Sequence, residues 1–175
     1  MHYLGIDESG NGVYPLIYSC YISVNKESLV EGKFPKRRSK NKKQRMNNLI
    51  GFPNKHLIFE RKLGKITNYE NYKTIAIGEF SKFYLKNYNL NGVYIDGGIE
   101  EFQKEKILQM IYAMDKRIKI NFGKDLDRKL VLVNKSDNWA NFIFRSVRDS
   151  PRKIKEGFFD FLPLPDIRDY EIYLI

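Results

Sequence analysis

Short apolar segments rich in β-branched and aromatic residues recur along the chain, and they predict β-strands. The longer segments after the third of these strands carry apolar residues three and four positions apart, which is the spacing of one helix face. We predict strands at 3–6, 16–24, 57–62, 92–95 and 130–133, and helices at 72–87, 102–114 and 139–147. A further short helix is predicted at 45–50, before the turn sequence Gly51-Phe52-Pro53.

The order of these elements is two strands, a short helix and a third strand, followed by alternating helices and strands. This alternation is typical of the α/β class, so we predict a central mixed sheet flanked by helices. With 175 residues, the chain is long enough for a single domain with a buried core. We expect residues 1–149 to form this domain and residues 150–175 to form a C-terminal tail packed on it.

The composition limits the class of protein. The chain is 42% hydrophobic and 14% aromatic, as expected for a folded globular protein. No apolar stretch reaches the length of a membrane span, about 18 residues, and the N-terminus lacks the basic-then-apolar order of a secretion signal. One cysteine, Cys20, and two histidines cannot build a zinc finger or a disulfide framework. We expect a monomer in the reducing cytoplasm, without a membrane partner.

The net charge of +10 comes mainly from one segment of the chain. Residues 33–45 contain eight of the 31 Lys and Arg residues and no acidic residue. The other 23 basic residues nearly balance the 21 acidic ones. Such a local basic segment favours a polyanionic partner, bound in a salt-dependent way. We predict a nucleic-acid partner, in preference to an anionic membrane or a purely solvated loop.

Acidic residues stand where three of the predicted strands end. Asp7 and Glu8 follow the first strand, Asp96 follows the fourth, and Asp137 lies just beyond the fifth. Buried carboxylates cost free energy unless a metal, a proton or a cationic group compensates them. Hard divalent cations prefer oxygen ligands, and ligands of α/β sheets bind at the ends of strands. The four acids together therefore predict a metal site.

For the acidic residues the sequence also predicts the local backbone structure, and each of them alone has an explanation without a metal. Successive strand residues point to opposite faces, so we expect the chain to turn at Glu8 if Asp7 and Glu8 are to share a site. We expect Asp137 at the N-terminus of the last helix, where the helix dipole favours a carboxylate. Taken singly, such an Asp137 is more often a helix cap and such an Asp96-Gly97 more often a turn, while Asp7-Glu8 is as often a solvated strand end.

The motifs, in their order, resemble those of ribonuclease HII, a family of the ribonuclease H-like superfamily. The family opens with a strand and Asp-Glu-Ala-Gly-Arg-Gly, where this chain has Asp7-Glu8-Ser9-Gly10-Asn11-Gly12. The family's Asp-Ser-Lys element and basic helix are similar to residues 38–45, and its Val-Asp-Gly is similar to Ile95-Asp96-Gly97. Its Lys-Ala-Asp and Val-x-Arg-Asp are similar to Lys135-Ser136-Asp137 and Val147-Arg148-Asp149.

This resemblance implies a ribonuclease H-like fold with a five-stranded mixed sheet, and a metal-dependent endoribonuclease. The metal-binding and catalytic residues would be Asp7, Glu8, Asp96 and Asp137, which would bind two Mg²⁺ or Mn²⁺ ions. The enzyme would hydrolyse the RNA strand of RNA–DNA hybrids or ribonucleotides embedded in DNA, leaving 3′-hydroxyl and 5′-phosphate ends. The backbone of Gly10, Asn11 and Gly12 would contact the ribose 2′-hydroxyl. The side chains that would bind phosphates are Ser39, Lys40, Lys42, Lys43 and Lys135.

Departures from the family pattern leave two alternatives open. Asn11 stands where the family has arginine, and Arg38 stands where it has aspartate. The first alternative is a DNA-directed nuclease of the same superfamily, of the Holliday-junction resolvase type. The second is a nucleic-acid-binding module whose catalytic site has decayed. Retention of all four acids argues against decay, because buried carboxylates without a role cost free energy.

Overall fold

The computed structural model describes residues 1–9, 16–24, 54–59 and 69–149. The strands in these residues are β1 (His2–Ser9), β2 (Leu16–Ser23), β3 (Asn54–Phe59), β4 (Leu90–Asp96) and β5 (Lys119–Gly123). The helices are α1 (Tyr69–Asn87), α2 (Glu101–Met114), α3 (Leu126–Lys129) and α4 (Val131–Asp149). Among the residues described, no helix combines the length and the apolar character needed to cross a membrane.

The five strands form one mixed sheet in the order β3-β2-β1-β4-β5. β2 is antiparallel to both of its neighbours, β1 and β3, whereas β4 is parallel to β1 and β5 is parallel to β4. Ile6 pairs with Ile95 in the register of β1 and β4. The residues that follow them, Asp7 and Asp96, therefore lie side by side where β1 and β4 end. This architecture confirms the predicted fold class.

Helices cover both faces of the sheet. On one face, Leu4 and Ile6 of β1 pack with the buried residues of α1 and α2 in the larger hydrophobic core. On the other face, α4 contacts β1 and β2, and its buried residues include Leu132 and Ile143. Because side chains alternate along a strand, successive residues of β1 face different helices.

Helix α4 lies directly against β1 at Gly5. A Cβ atom at this position would lie 2.8 Å from the carbonyl oxygen of Leu132. The Ser136 hydroxyl donates a hydrogen bond of 2.8 Å to the carbonyl oxygen of Gly5. The absence of a side chain at Gly5 thus lets α4 approach the strand and places Asp137, the next residue after Ser136, beside β1.

Replacement of Gly5 by alanine is expected to lower the free energy of unfolding by about 1–3 kcal/mol, because the added methyl group overpacks the α4–β1 contact. Urea denaturation would measure the change. Gly98→Ala is a matched control, since the nearest contact of its Cβ would be Lys124 Cε at 3.9 Å. Equal stability of wild type and Gly5→Ala would show that this glycine does not set the distance between helix and strand.

Most of the predicted elements are present. The predicted strands 3–6 and 92–95 lie within β1 and β4, and the predicted strand 16–24 extends one residue beyond β2. The helices predicted at 72–87 and 102–114 lie within α1 and α2. The third strand begins at Asn54, earlier than predicted, and residues 60–62 lie outside the described residues. The predicted helix at 45–50 also lies outside them.

The predicted strand at 130–133 is wrong, because α4 begins at Val131. A run of four apolar residues fits a buried strand or a buried helix equally well. After the buried Leu132 and Val133, the buried residues Ser136, Ala140 and Ile143 follow at intervals of three and four residues, so all five lie on one face of α4. The predicted helix at 139–147 is thus the second half of a longer helix.

The fifth strand of the sheet is β5, an element that sequence reasoning missed. Its sequence alternates polar and apolar residues, with Ile120 and Phe122 packed against the larger core and Lys119 and Asn121 exposed. This alternation is the signal of a half-buried strand. Because β5 is short and lies at the edge of the sheet, its sequence predicts a strand less strongly than the compact apolar run at 130–133 does.

Candidate active site

Asp7 and Glu8 lie on a regular strand and face opposite sides of the sheet. β1 continues to Ser9, with Glu8 paired with Tyr18 and Ser9 paired with Ile17, so the predicted turn at Glu8 is wrong. Asp7 lies on the face that α4 covers, whereas Glu8 forms an ion pair with a residue of α1. The two carboxylates therefore lie on different faces of the sheet, near the end of β1.

Asp7 is a buried carboxyl group in a negative environment. Burial raises its pKa well above the ordinary value, and the negative charges of Asp137 and then Asp96 raise it further. The backbone N–H of Glu8 donates a hydrogen bond of 2.7 Å to Asp7 Oδ1 and partly opposes this increase in pKa. The fold thus brings three acids that are distant in sequence within electrostatic range of one another.

Asp96 ends β4, as predicted, and accepts hydrogen bonds from the segment that follows β5. The backbone N–H of Leu126 donates to Asp96 Oδ1 at 2.5 Å. Burial raises the pKa of Asp96, while backbone N–H groups, that of Leu126 above all, partly offset the increase. The next residue, Gly97, has φ +94°, a conformation that favours glycine.

Asp137 lies in the interior of α4, as the seventh residue of the helix, and not at its N-terminus. The prediction of an N-terminal position after a strand is therefore wrong, and the helix dipole does not explain how this carboxylate is held. Asn141, one turn later, donates from Nδ2 to Asp137 Oδ1 and, at 3.0 Å, to the Asp137 carbonyl oxygen. The Ser9 hydroxyl donates to Asn141 Oδ1 at 3.3 Å. These contacts connect Asp137 to the end of β1.

Lys73 of α1 is a site residue that sequence reasoning missed. Its Nζ lies 3.5 Å from Glu8 Oε2. A Cβ on Gly97 would lie 2.6 Å from the same Nζ, so the ammonium group sits beside the backbone that follows Asp96. The sequence did contain a signal, because Lys73 falls three and four residues before the buried Ala76 and Ile77, on the core-facing stripe of the helix.

Asp127 is a second missed residue. Its negative charge contributes to the raised pKa of both Asp7 and Asp96. It belongs to α3, which follows β5, and β5 is parallel to β4. The carboxyl ends of parallel strands meet at the same sheet edge, so recognition of β5 would have placed Asp127 near the site.

Among the predicted substrate-binding residues, Lys135 is described. It is half-buried, and burial lowers the pKa of its ammonium group. The remaining predicted substrate-binding residues lie outside the described part of the chain, and these are Gly10, Asn11, Gly12, Ser39, Lys40, Lys42 and Lys43.

Comparison with known proteins identifies the fold. No protein-family model and no curated protein matches this chain in sequence. Ribonuclease HII of Archaeoglobus fulgidus, solved in its complex with PCNA, has a TM-score of 0.58 and 14% identity, over 89% of this chain and 77% of that chain. The chain has the fold of ribonuclease HII. Ribonuclease H2 of Pyrococcus horikoshii OT3 has a TM-score of 0.61 and 14% identity, over 97% of this chain and 83% of that chain.

On this ribonuclease HII fold, the donor chemistry of the site fits a hard divalent cation. All four predicted ligands are carboxylates, and the repulsion among Asp7, Asp96 and Asp137 is the kind that a bound cation relieves. Within residues 1–9, 16–24, 54–59 and 69–149, however, no three His, Cys, Asp or Glu side chains are grouped closely enough to hold an ion. An ion shared by these carboxylates therefore requires their side chains to rotate toward it.

Proposed function

We propose that this protein is a ribonuclease H-like endonuclease that hydrolyses the RNA strand of RNA–DNA hybrids or ribonucleotides embedded in DNA. The observation that carries the proposal is the convergence of Asp7, a buried carboxyl group, with Asp96 and Asp137, whose negative charges help to raise its pKa. Three chain segments bring these acids to one edge of a sheet with the ribonuclease HII fold. A structural role does not account for such mutual repulsion, because buried like charges lower stability.

Asp7, Glu8, Asp96 and Asp137 would hold two Mg²⁺ or Mn²⁺ ions. When bound, the ions supply an activated water and stabilise the charge that develops on the phosphate. The protein positions the ligands, since the Leu126 N–H orients Asp96 and Asn141 orients Asp137. A bound cation also favours the ionised form of Asp7, which burial alone disfavours.

Residues 1–149 would form the catalytic domain, with residues 150–175 as a tail packed on it. The backbone of Gly10-Asn11-Gly12 would contact the ribose 2′-hydroxyl, the group that distinguishes RNA from DNA. Ser39 and Lys135 would contact phosphates, together with the lysines at 40, 42 and 43. The protein would act as a monomer, and its single, buried cysteine, Cys20, suits the reducing cytoplasm.

The proposal is tested by cleavage assays on three substrates in Mg²⁺ and in Mn²⁺. We expect cleavage of a duplex that contains one or several ribonucleotides, with 5′-phosphate and 3′-hydroxyl products, and no cleavage of an all-DNA duplex or a four-way junction. Cleavage of either all-DNA substrate in preference to the ribonucleotide duplex would indicate the Holliday-junction resolvase type. Salt-sensitive binding without cleavage in either metal would indicate a decayed binding module.

The basic segment is expected to supply part of the salt-dependent affinity. Replacement of Lys40, Lys42 and Lys43 by alanine should weaken duplex binding and reduce the slope of log K against log salt by about 0.9 for each phosphate that is no longer neutralised. Fluorescence anisotropy at several salt concentrations would measure the slope.

The matched control removes three exposed lysines near the opposite edge of the sheet, where β4 and β5 begin, namely Lys86, Lys116 and Lys119. This control has the same loss of charge and should keep the wild-type slope. An unchanged slope in the variant at 40, 42 and 43 would place these residues outside the nucleic-acid path, and an equal reduction in both triple variants would indicate a general effect of net charge.

A further inference from the structure

A lysine ammonium group is buried beside one carboxylate of the candidate site. Lys73 is 5% exposed, and its Nζ lies 3.5 Å from Glu8 Oε2. The same Nζ lies against the backbone of Gly97, at a place that a side chain on residue 97 would fill. Lys73 thus joins the ends of β1 and β4 from the side of α1.

Packing alone does not explain this lysine. Its helix neighbours on the core-facing stripe are apolar, and they include Tyr72, Ala76 and Ile77. An apolar residue of similar length would cover the same surface without the cost of desolvating an ammonium group. A buried ion pair of this kind is weak evidence for a stabilising role. The location beside Glu8 and the backbone of Gly97, the residue after Asp96, indicates a role in the site.

The positive charge of Lys73 acts unequally on the four acids. It pairs with Glu8 on the face of α1, whereas Asp7 and Asp137 lie on the face of α4. Glu8 therefore already has a cationic partner, whereas Asp7 and Asp137 repel each other. A divalent ion that binds to Glu8 has to share this carboxylate with the ammonium group and is repelled by it.

We propose that Lys73 is a positioning residue for Glu8 and a fixed positive charge within the carboxylate cluster. It weakens the binding of a divalent cation on the Glu8 side and leaves the tighter position to Asp7, Asp96 and Asp137. This inference rests on the proposed metal-dependent function, and it concerns the affinity of the substrate-free protein for the ion.

The test is a titration of the substrate-free protein with Mn²⁺, followed by the electron paramagnetic resonance signal of the free ion. Lys73→Met removes the charge and keeps the length of the side chain. We expect the weaker Mn²⁺ position, on the Glu8 side, to bind the ion about tenfold more tightly than in the wild type, a change of about 1.4 kcal/mol. Lys82→Met removes an exposed lysine from the same helix and should leave the affinity unchanged.

Lys73→Gln separates charge from positioning and provides a second measurement if Lys73→Met unfolds, which circular dichroism would show. The glutamine keeps a hydrogen-bond donor for Glu8 but has no charge, so its affinity for Mn²⁺ should also rise. Weaker or unchanged affinity in the folded variants overturns this inference while the proposed function stands. Binding of Mn²⁺ by neither the wild type nor the variants overturns the metal site and, with it, both proposals.

Discussion

Asp7→Asn is expected to abolish cleavage of the ribonucleotide-containing duplex and, at neutral pH, to raise the stability of the protein. The loss of activity should be at least about a thousandfold, which corresponds to about 4 kcal/mol in the activation barrier, because the variant lacks a charged ligand at the centre of the site. Asparagine keeps an oxygen that accepts the Glu8 N–H, so the local backbone contact is retained.

The gain in stability follows from the raised pKa of Asp7. A carboxyl group whose pKa is higher in the folded state than in the unfolded state binds more protons when folded. Its presence therefore lowers stability as pH rises from the unfolded pKa, about 4, through the folded pKa. An asparagine side chain does not titrate, so the melting temperature of the variant should exceed that of the wild type at pH 7 and the difference should vanish near pH 3.

Asp115→Asn is the matched control with the opposite sign. Asp115 lies at the end of α2, and its hydrogen bonds with Arg117 lower its pKa to about 2. Its replacement should leave cleavage unchanged and should not raise the melting temperature at pH 7. A melting temperature of Asp7→Asn equal to or below the wild-type value at pH 7 would contradict the electrostatic account of the site, and near-normal turnover would remove Asp7 from the mechanism.

The second prediction concerns Asp96 and Asp137, the two acids whose charges contribute most to the raised pKa of Asp7. Asp96→Asn and Asp137→Asn should each abolish cleavage while the affinity for the duplex stays within about twofold of the wild type. Each asparagine keeps one oxygen as an acceptor, for the Leu126 N–H at position 96 and for the Asn141 side chain at position 137. The change is therefore mainly a loss of charge, and a metal ligand is removed with little change of shape.

These variants should also change the titration of Asp7, and in a defined order. The negative charge of Asp137 contributes more to the raised pKa of Asp7 than that of Asp96, and Asp127 contributes least. The pH at which stability declines should shift toward acid most in Asp137→Asn and least in Asp127→Asn. Asp127→Asn, which removes no predicted ligand, should retain cleavage. Near-normal turnover in Asp96→Asn or Asp137→Asn would remove that residue from the catalytic set.

The helices and strands with a clear pattern of apolar residues were predictable from sequence. α1 and α2 show repeated apolar positions three and four residues apart, and β1 and β2 are rich in residues typical of strands. The failure at 130–133 has a physical cause, since Leu130, Leu132 and Val133 are buried in the structure at the start of a helix. Four adjacent apolar residues carry no period, so the next residues of the helix, and not the run itself, contain the deciding signal.

The placement of the acids was in part predictable, and that of the neighbouring lysine was not. The positions of Asp7, Glu8 and Asp96 near strand ends could be predicted, their role as metal ligands stays a prediction, and Asp137 was chosen for the wrong local reason. Its position depends on the contact of α4 with Gly5, a tertiary feature that no local pattern contains. Lys73 belongs to a helix that also forms core, and its role follows only from the packing of that helix against the end of β1.

The central claim is that distant carboxylates converge to hold divalent ions, and the most direct test is anomalous diffraction from crystals of the protein soaked in Mn²⁺. The account predicts anomalous peaks at metal–oxygen bonding distance, about 2.1 Å, from carboxylate oxygens of Asp7 and of at least one of Asp96 and Asp137. Full occupancy of Mn²⁺ at other carboxylates, with no peak beside Asp7, would contradict it.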